Sequence, residues 1–112
     1  MFSLASVISP GATITAGVDL TAAAPLAHYW KRCVGSGHML LGTRADWRAH
    51  LKLAVDELGV TGIRGHGLLD DDMSVTPNGR DFEFYNVDQV FDYLLSIKVR
   101  PVVELSFMPS AL

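Results

Sequence analysis

The stretch Ile63-Arg64-Gly65-His66-Gly67-Leu68-Leu69-Asp70-Asp71-Asp72-Met73 decides the reading of this chain. Leu58-Gly59-Val60, just before it, reads as a helix ending and a strand beginning; the three aspartates after His66 open a long loop. The carboxyl end of a parallel strand gathers loops, backbone amides and inward-pointing polar side chains, so a strand leaving through a histidine and a glycine marks a place for chemistry. Side chains alternate along a strand, which puts Arg64 and His66 on one face and Ile63 on the other.

Working outward, the spacing predicts a helix over Arg44 to Leu58. Trp47, Leu51, Ala54, Val55 and Leu58 form its apolar stripe, and Lys52, Asp56 and Glu57 lie off it. Thr43 is placed to cap it, Asp46 suits its positive end, and Gly59 can close it in a left-handed conformation. Val60 to His66 follows as a strand after the short link usual in α/β units. Upstream, Cys33-Val34-Gly35 reads as the first core strand, ending in the Gly35-Ser36-Gly37 turn. That turn has neither the lysine ending nor the three-glycine fingerprint of a phosphate loop. Thr13 to Leu20 gives a weaker strand pattern, interrupted by Gly17.

Downstream, Met73 to Thr76 and Asp81 to Phe84 alternate around Pro77-Asn78-Gly79, which predicts a small β-hairpin. A second helix is expected over Val87 to Ile97, with Asn86 as N-cap and Gln89 three residues on. Val87, Val90, Phe91, Leu94 and Leu95 are its apolar stripe. Val99 to Phe107 reads as a third strand, in which Glu104 and Ser106 share a side opposite Val103, Leu105 and Phe107. Strand, helix, strand, helix, strand implies parallel strands with crossover helices. Polar residues inward and apolar residues towards the helices suit the mouth of a (β/α)₈ barrel, where Glu104 opposite Arg64 can form a buried ion pair.

The chain has 112 residues, 49% of them hydrophobic, and a formal charge of −3, which describes one globular α/β unit. The mild acidity argues against nucleic acid as a partner. One cysteine, Cys33, makes no internal disulfide and is expected to be a buried structural thiol. Met1 to Ile8 lacks the basic residues of a secretory signal, and no apolar run approaches the ~20 residues of a membrane span. No membrane partner is expected, a cytoplasmic location is the default expectation, and residues 1–12 are expected to be poorly ordered.

Cys33-Val34-Gly35-Ser36-Gly37, Arg44-Ala45-Asp46-Trp47, Ile63 to Met73 and Val103-Glu104-Leu105-Ser106-Phe107-Met108-Pro109 together resemble the N-terminal part of β-xylosidases of glycoside hydrolase family 39. That family also includes the α-L-iduronidases. The likeness runs from about Val18 to the last residue, and its combination of Ile-Arg-Gly-His-Gly-Leu-Leu with Glu-Leu-Ser-Phe-Met-Pro points to the xylosidase branch. The resemblance implies the first three βα units of a (β/α)₈ TIM barrel that hydrolyses β-xylosides with retention, using two glutamates ~5–5.5 Å apart. The family's acid/base lies in an Asn-Glu-Pro motif after the fourth strand and its nucleophile after the seventh. This chain has no Asn-Glu-Pro. It is therefore expected to hold no catalytic residue and to be inactive alone, the partners being a xylo-oligosaccharide or other β-xyloside and the remainder of the barrel.

The resemblance assigns substrate binding to His66 and Phe107, and support of the site to Arg64 with Glu104 as its structural ion-pair partner. Phe107 poses a conflict: the alternation puts it on the helix side, and it reaches the subsite only if the backbone turns at Met108-Pro109. Two departures bear on packing. Gly62 stands where the family has a bulky residue, which predicts a gap beside the second strand. Lys98 stands where a glycine usually ends the second helix, which predicts loss of that cap at about 1 kcal/mol.

Other candidates receive plainer readings. Asp70, Asp71 and Asp72 suit a hard cation, but consecutive residues point in different directions; a solvated loop with one aspartate reaching the sugar is expected, with no metal and no cofactor. His38 reads as a turn histidine, and His28 and His50 as surface residues. Phe82 and Phe84 either pack under the loop or border a subsite. The rival to a glycosidase segment is a non-catalytic carbohydrate-binding or interaction module derived from the same barrel. A weaker third reading is a metal-dependent hydrolase built on His66 and the aspartates.

Overall fold

A computed structural model describes residues 13–22 and 24–112; the expected poor order of residues 1–12 lies outside that range. Three parallel strands, β1 (Val34–His38), β2 (Gly62–His66) and β3 (Arg100–Val103), lie side by side in sequence order. Helices α1 (Ala45–Leu58) and α2 (Tyr85–Ser96) make the two connections. Short 3-10 turns at Tyr29–Arg32, Met39–Thr43 and Asp71–Met73 complete the regular structure.

The helices close one face of the sheet. Ile63, Val90, Leu94 and Val99 are almost wholly buried there, with Met39, Leu51, Leu68, Met73, Val75 and Val87 around them. Arg48 fastens the layer. Its Nε donates to the Gly42 carbonyl at 2.7 Å, its guanidinium stacks 5.1 Å from the Tyr93 ring centre, and the Tyr93 hydroxyl donates to the Arg48 carbonyl. Partial burial pushes the Tyr93 hydroxyl above its usual pKa, which keeps it a donor.

The two helix ends show how local chemistry sets boundaries. Gly59 closes α1 with φ +69°, its N–H donating to Val55. At the end of α2, Lys98 N–H donates to Leu95 and Val99 N–H to Leu94, while Lys98 takes φ +61°. That is a Schellman cap, with buried Leu94 and Val99 meeting across it. The cap expected to be lost with Lys98 is thus kept, and the cost falls on a lysine in left-handed backbone.

Several boundaries differ from expectation. Residues 13–20 are exposed and form no strand. Thr43 does not cap α1: its hydroxyl donates back to Leu40, and Arg44 holds the cap position, with Asp46 accepting the Trp47 N–H and pairing with Arg44. Asn86 lies inside α2 and spends its amide on the Met73 carbonyl at 3.2 Å, so Phe84 precedes the helix instead. The hairpin is absent too. Ser74 turns left-handed at φ 55°, Val75 and Thr76 fold into the core, and one bond, Glu83 N–H to Val75, joins the two arms. The Pro77-Asn78-Gly79 turn does form, with Asn78 Oδ1 accepting from Arg80 and Asp81.

No gap opens at Gly62. A Cβ there would stand 2.1 Å from the Arg32 carbonyl oxygen, because the Tyr29–Arg32 turn fills the space and Lys31 O accepts from Thr61. Cys33 is exposed rather than buried, since it precedes β1 and lies outside the helix layer. Leu58, the last of the α1 stripe, is half exposed, whereas Leu51 is buried.

Candidate functional site

The side chains of chemical interest lie on the sheet face away from the helices. Arg64 follows the fully buried Ile63 and points the other way, as alternation requires. The register pairs Arg64 with Val102, which brings Glu104, two residues further on, within reach. Arg64 Nη2 donates to Glu104 Oε1 at 2.9 Å. The pair forms as expected but is not buried: the side chains are 54% and 31% exposed. The second carboxylate oxygen, Oε2, is covered and finds no hydrogen-bond partner among the described residues.

His66 ends β2 between two rings. His38 stands on one side, centroid to centroid 5.2 Å at 85°, and Phe107 on the other, 6.1 Å at 84°. Phe107 is therefore on the His66 side. Alternation misplaces it because β3 ends at Val103, and the strand period no longer governs the residues beyond. His66 itself has no hydrogen-bond partner among the described residues, so its ring nitrogens are available to a ligand.

The loop after β2 is organised by its aspartates. Asp70 caps the Asp71–Met73 turn by accepting the Asp71 N–H at 2.9 Å, and its other oxygen lies 3.2 Å from His38 Nε2. Asp72 Oδ2 lies 3.0 Å from His38 Nδ1. Asp71 reaches the opposite way and accepts the Ser110 N–H at 2.9 Å. The Ser110 hydroxyl and N–H hold the Asp71 carboxyl below the ordinary carboxylate range. Against the expectation that the three aspartates diverge, Asp70 and Asp72 converge on His38 and only Asp71 turns away to Ser110. His38, Asp70 and Asp72 are the group among the described residues with metal-ligand atoms close enough together, within 4.8 Å. The imidazole sits between the carboxylates, one at each nitrogen.

His38 is the site residue that the sequence reading undervalued. The available signal was Gly35-Ser36-Gly37, where the ladder slips: Gly35 pairs with Arg64, but His38 pairs with His66. His28 and His50 are exposed, as expected, and so are Phe82 and Phe84. A shallow cavity of about 210 Å³ lies between β1 and α1, lined by Val34, Ser36, Trp47, His50 and Ile63, and none of the candidate sugar contacts borders it. No helix among the described residues is long and apolar enough to cross a membrane.

Comparison with known proteins bears on the family and on the backbone. The model of the family described as glycosyl hydrolases family 39 matches residues 18–112. A β-xylosidase of Caldicellulosiruptor saccharolyticus is 50% identical over 88 residues, covering 75% of this chain and 18% of the relative. A β-xylosidase of Geobacillus stearothermophilus is 41% identical over 90 residues, covering 74% and 18%. Among solved structures, a family 39 β-xylosidase from Caulobacter crescentus superposes with a TM-score of 0.70 at 33% identity, over 81% of this chain and 21% of that one. A family 39 enzyme from Xanthomonas axonopodis pv. citri gives 0.70 at 36%, over 82% and 19%. The chain spans about a fifth of the length of these relatives. With matching motifs, matching order and a matching backbone, it belongs to glycosyl hydrolase family 39.

Proposed function

We propose that these residues form the first three βα units of a retaining β-xylosidase-type barrel and supply one wall of its sugar site. The observation that carries this is His66, bare at both ring nitrogens, held at the end of β2 beside Phe107. Imidazole nitrogens can hydrogen-bond sugar hydroxyls, and the flanking aromatic ring offers the apolar surface a pyranose face packs against. Arg64 and Glu104 stand one step deeper, where a guanidinium can steady an anionic group contributed by later strands. The substrate is a xylo-oligosaccharide or other β-xyloside, a reading supported by the names of the two relatives.

The chemistry of retention needs an acid/base and a nucleophile, both carboxylates. The family's Asn-Glu-Pro motif does not occur in these 112 residues, so the chain alone is expected not to release nitrophenol from an aryl β-xyloside above background. Turnover that vanished with Glu104→Gln would show the catalytic residues to be misassigned. The binding role is tested by exchanging residues 18–112 for the matching segment of the Geobacillus stearothermophilus β-xylosidase. In that chimaera His66→Ala should lower kcat/KM by about 1–3 kcal/mol of transition-state stabilisation, the scale of a polar contact left unmade. An unchanged kcat/KM would remove His66 from the site. A chimaera without activity, beside an isolated chain that still binds xylobiose, would favour the carbohydrate-binding module instead.

A further inference from the structure

We propose that His38 is a positioning residue for His66, clasped by Asp70 and Asp72 so that the His66 ring is presented to the sugar in one orientation. The proposal rests on the sugar-binding role of His66 and adds what holds that ring in place.

The backbone is shaped to bring the two histidines together. Without the slip after Gly35, Gly37 would pair with His66, and His38 would fall on the helix side of the sheet. One extra residue in β1, accommodated by Gly37 at φ +80°, turns His38 to the same face as His66, as bulges characteristically re-aim a side chain. Gly67 then makes room. A Cβ at that position would stand 2.1 Å from His38 Nε2, and its φ of +72° is itself one that side chains rarely adopt. Two glycines of the motif stretches thus serve the placement of one imidazole.

The clasp fixes the ring at both ends. Carboxylate oxygens accept only, and they face His38 at Nε2 (3.2 Å) and at Nδ1 (3.0 Å). A carboxylate against each nitrogen holds the His38 ring in place, 5.2 Å from His66. His66 has no hydrogen bond among the described residues to set its rotamer, so its orientation comes from His38 on one side and Phe107 on the other. A binding group is effective when contacts behind it lock its geometry in advance.

Long-range ¹H–¹⁵N spectra of the histidine rings in the full 112-residue chain test this. The His66 signals are identified by their loss in His66→Asn. His38→Phe keeps an aromatic ring but removes both ring nitrogens; it and the Asp70→Asn/Asp72→Asn pair should each shift and broaden the His66 signals. His38→Gln, whose amide can donate to both carboxylates, should restore them in part. Affinity for methyl β-D-xyloside should fall about tenfold in His38→Phe, by analogy with the outer contacts that orient metal-ligating histidines. In the His66→Asn background the same change should cost nothing further. A purely structural His38 would lower thermal stability but leave the His66 ring signals in place, and that result would overturn the proposal. Ring signals that respond to His38 in a chain that does not bind the xyloside would instead sink the sugar-site reading and leave the clasp standing.

Discussion

Ile63 and Arg64 are neighbours on β2, yet Ile63 is 1% exposed and the Arg64 side chain 54%. Both obey the same alternation. What separates them is the layer opposite. Two helices and the Met39–Thr43 turn cover the Ile63 face, while no described element covers the Arg64 face. The apolar face of a sheet needs a covering layer, and it has one here, whereas no described element covers the face that carries Arg64 and Glu104. β3 shows the same in miniature: Val102 and Val103 point to opposite faces, and both are about half exposed because the strand has a neighbour on one edge alone.

If the helix-covered face holds the fold together, damage there should cost most. Leu94→Ala removes a wholly buried side chain and should destabilise by about 2–5 kcal/mol in urea unfolding. A loss under about 1 kcal/mol, within the range of an ordinary surface substitution, would mean that this face is loosely packed and that the two faces do not differ in energy as they do in exposure. Lys98→Gly sharpens the same point from the other direction. It keeps the Schellman bonds and relieves the left-handed lysine, so thermal unfolding should show a gain of about 1 kcal/mol. No gain would mean that the lysine's backbone carries little strain.

The smallest effect belongs to the open face. A double-mutant cycle on Arg64→Ala and Glu104→Ala should give a coupling of about 0–1 kcal/mol, since both side chains are wetted. A coupling of about 3 kcal/mol or more would show the pair to be desolvated, and hence the inner face to be covered after all.

The sequence carried the parts governed by period and composition. The apolar stripes found α1 and α2 to within two residues at each end, and alternation put Arg64 and Glu104 together. It failed where a side chain had two possible partners. Thr43 and Asn86 are good caps in isolation, but each found a carbonyl nearer in the folded chain. Val75 and Thr76 alternate like strand residues, yet burying them in the core outweighed pairing them across a hairpin. Gly62 looked like a gap because the Tyr29–Arg32 turn that fills it leaves no periodic trace. The site divided in the same way. Strand period put Arg64 and His66 on one face, whereas His38 was missed because Gly35-Ser36-Gly37 reads as a turn ending the strand, while β1 runs through it to His38 with a one-residue slip.

That slip has a consequence for anyone comparing or recombining genes of this kind. Gly35-Ser36-Gly37 is short, glycine-rich and easily treated as a loop in which a single-residue gap does no harm. Here such a gap is a change of phase. Inserting one residue while the single slip is kept would put Gly37 opposite His66, swing His38 through the sheet towards Met39 and Leu51, and leave Asp70 and Asp72 facing an empty position. An alignment that floats a gap across these three residues would score almost the same with the histidine on either face. For crossover design, the frame of β1 is therefore best anchored at His38 rather than at the glycines.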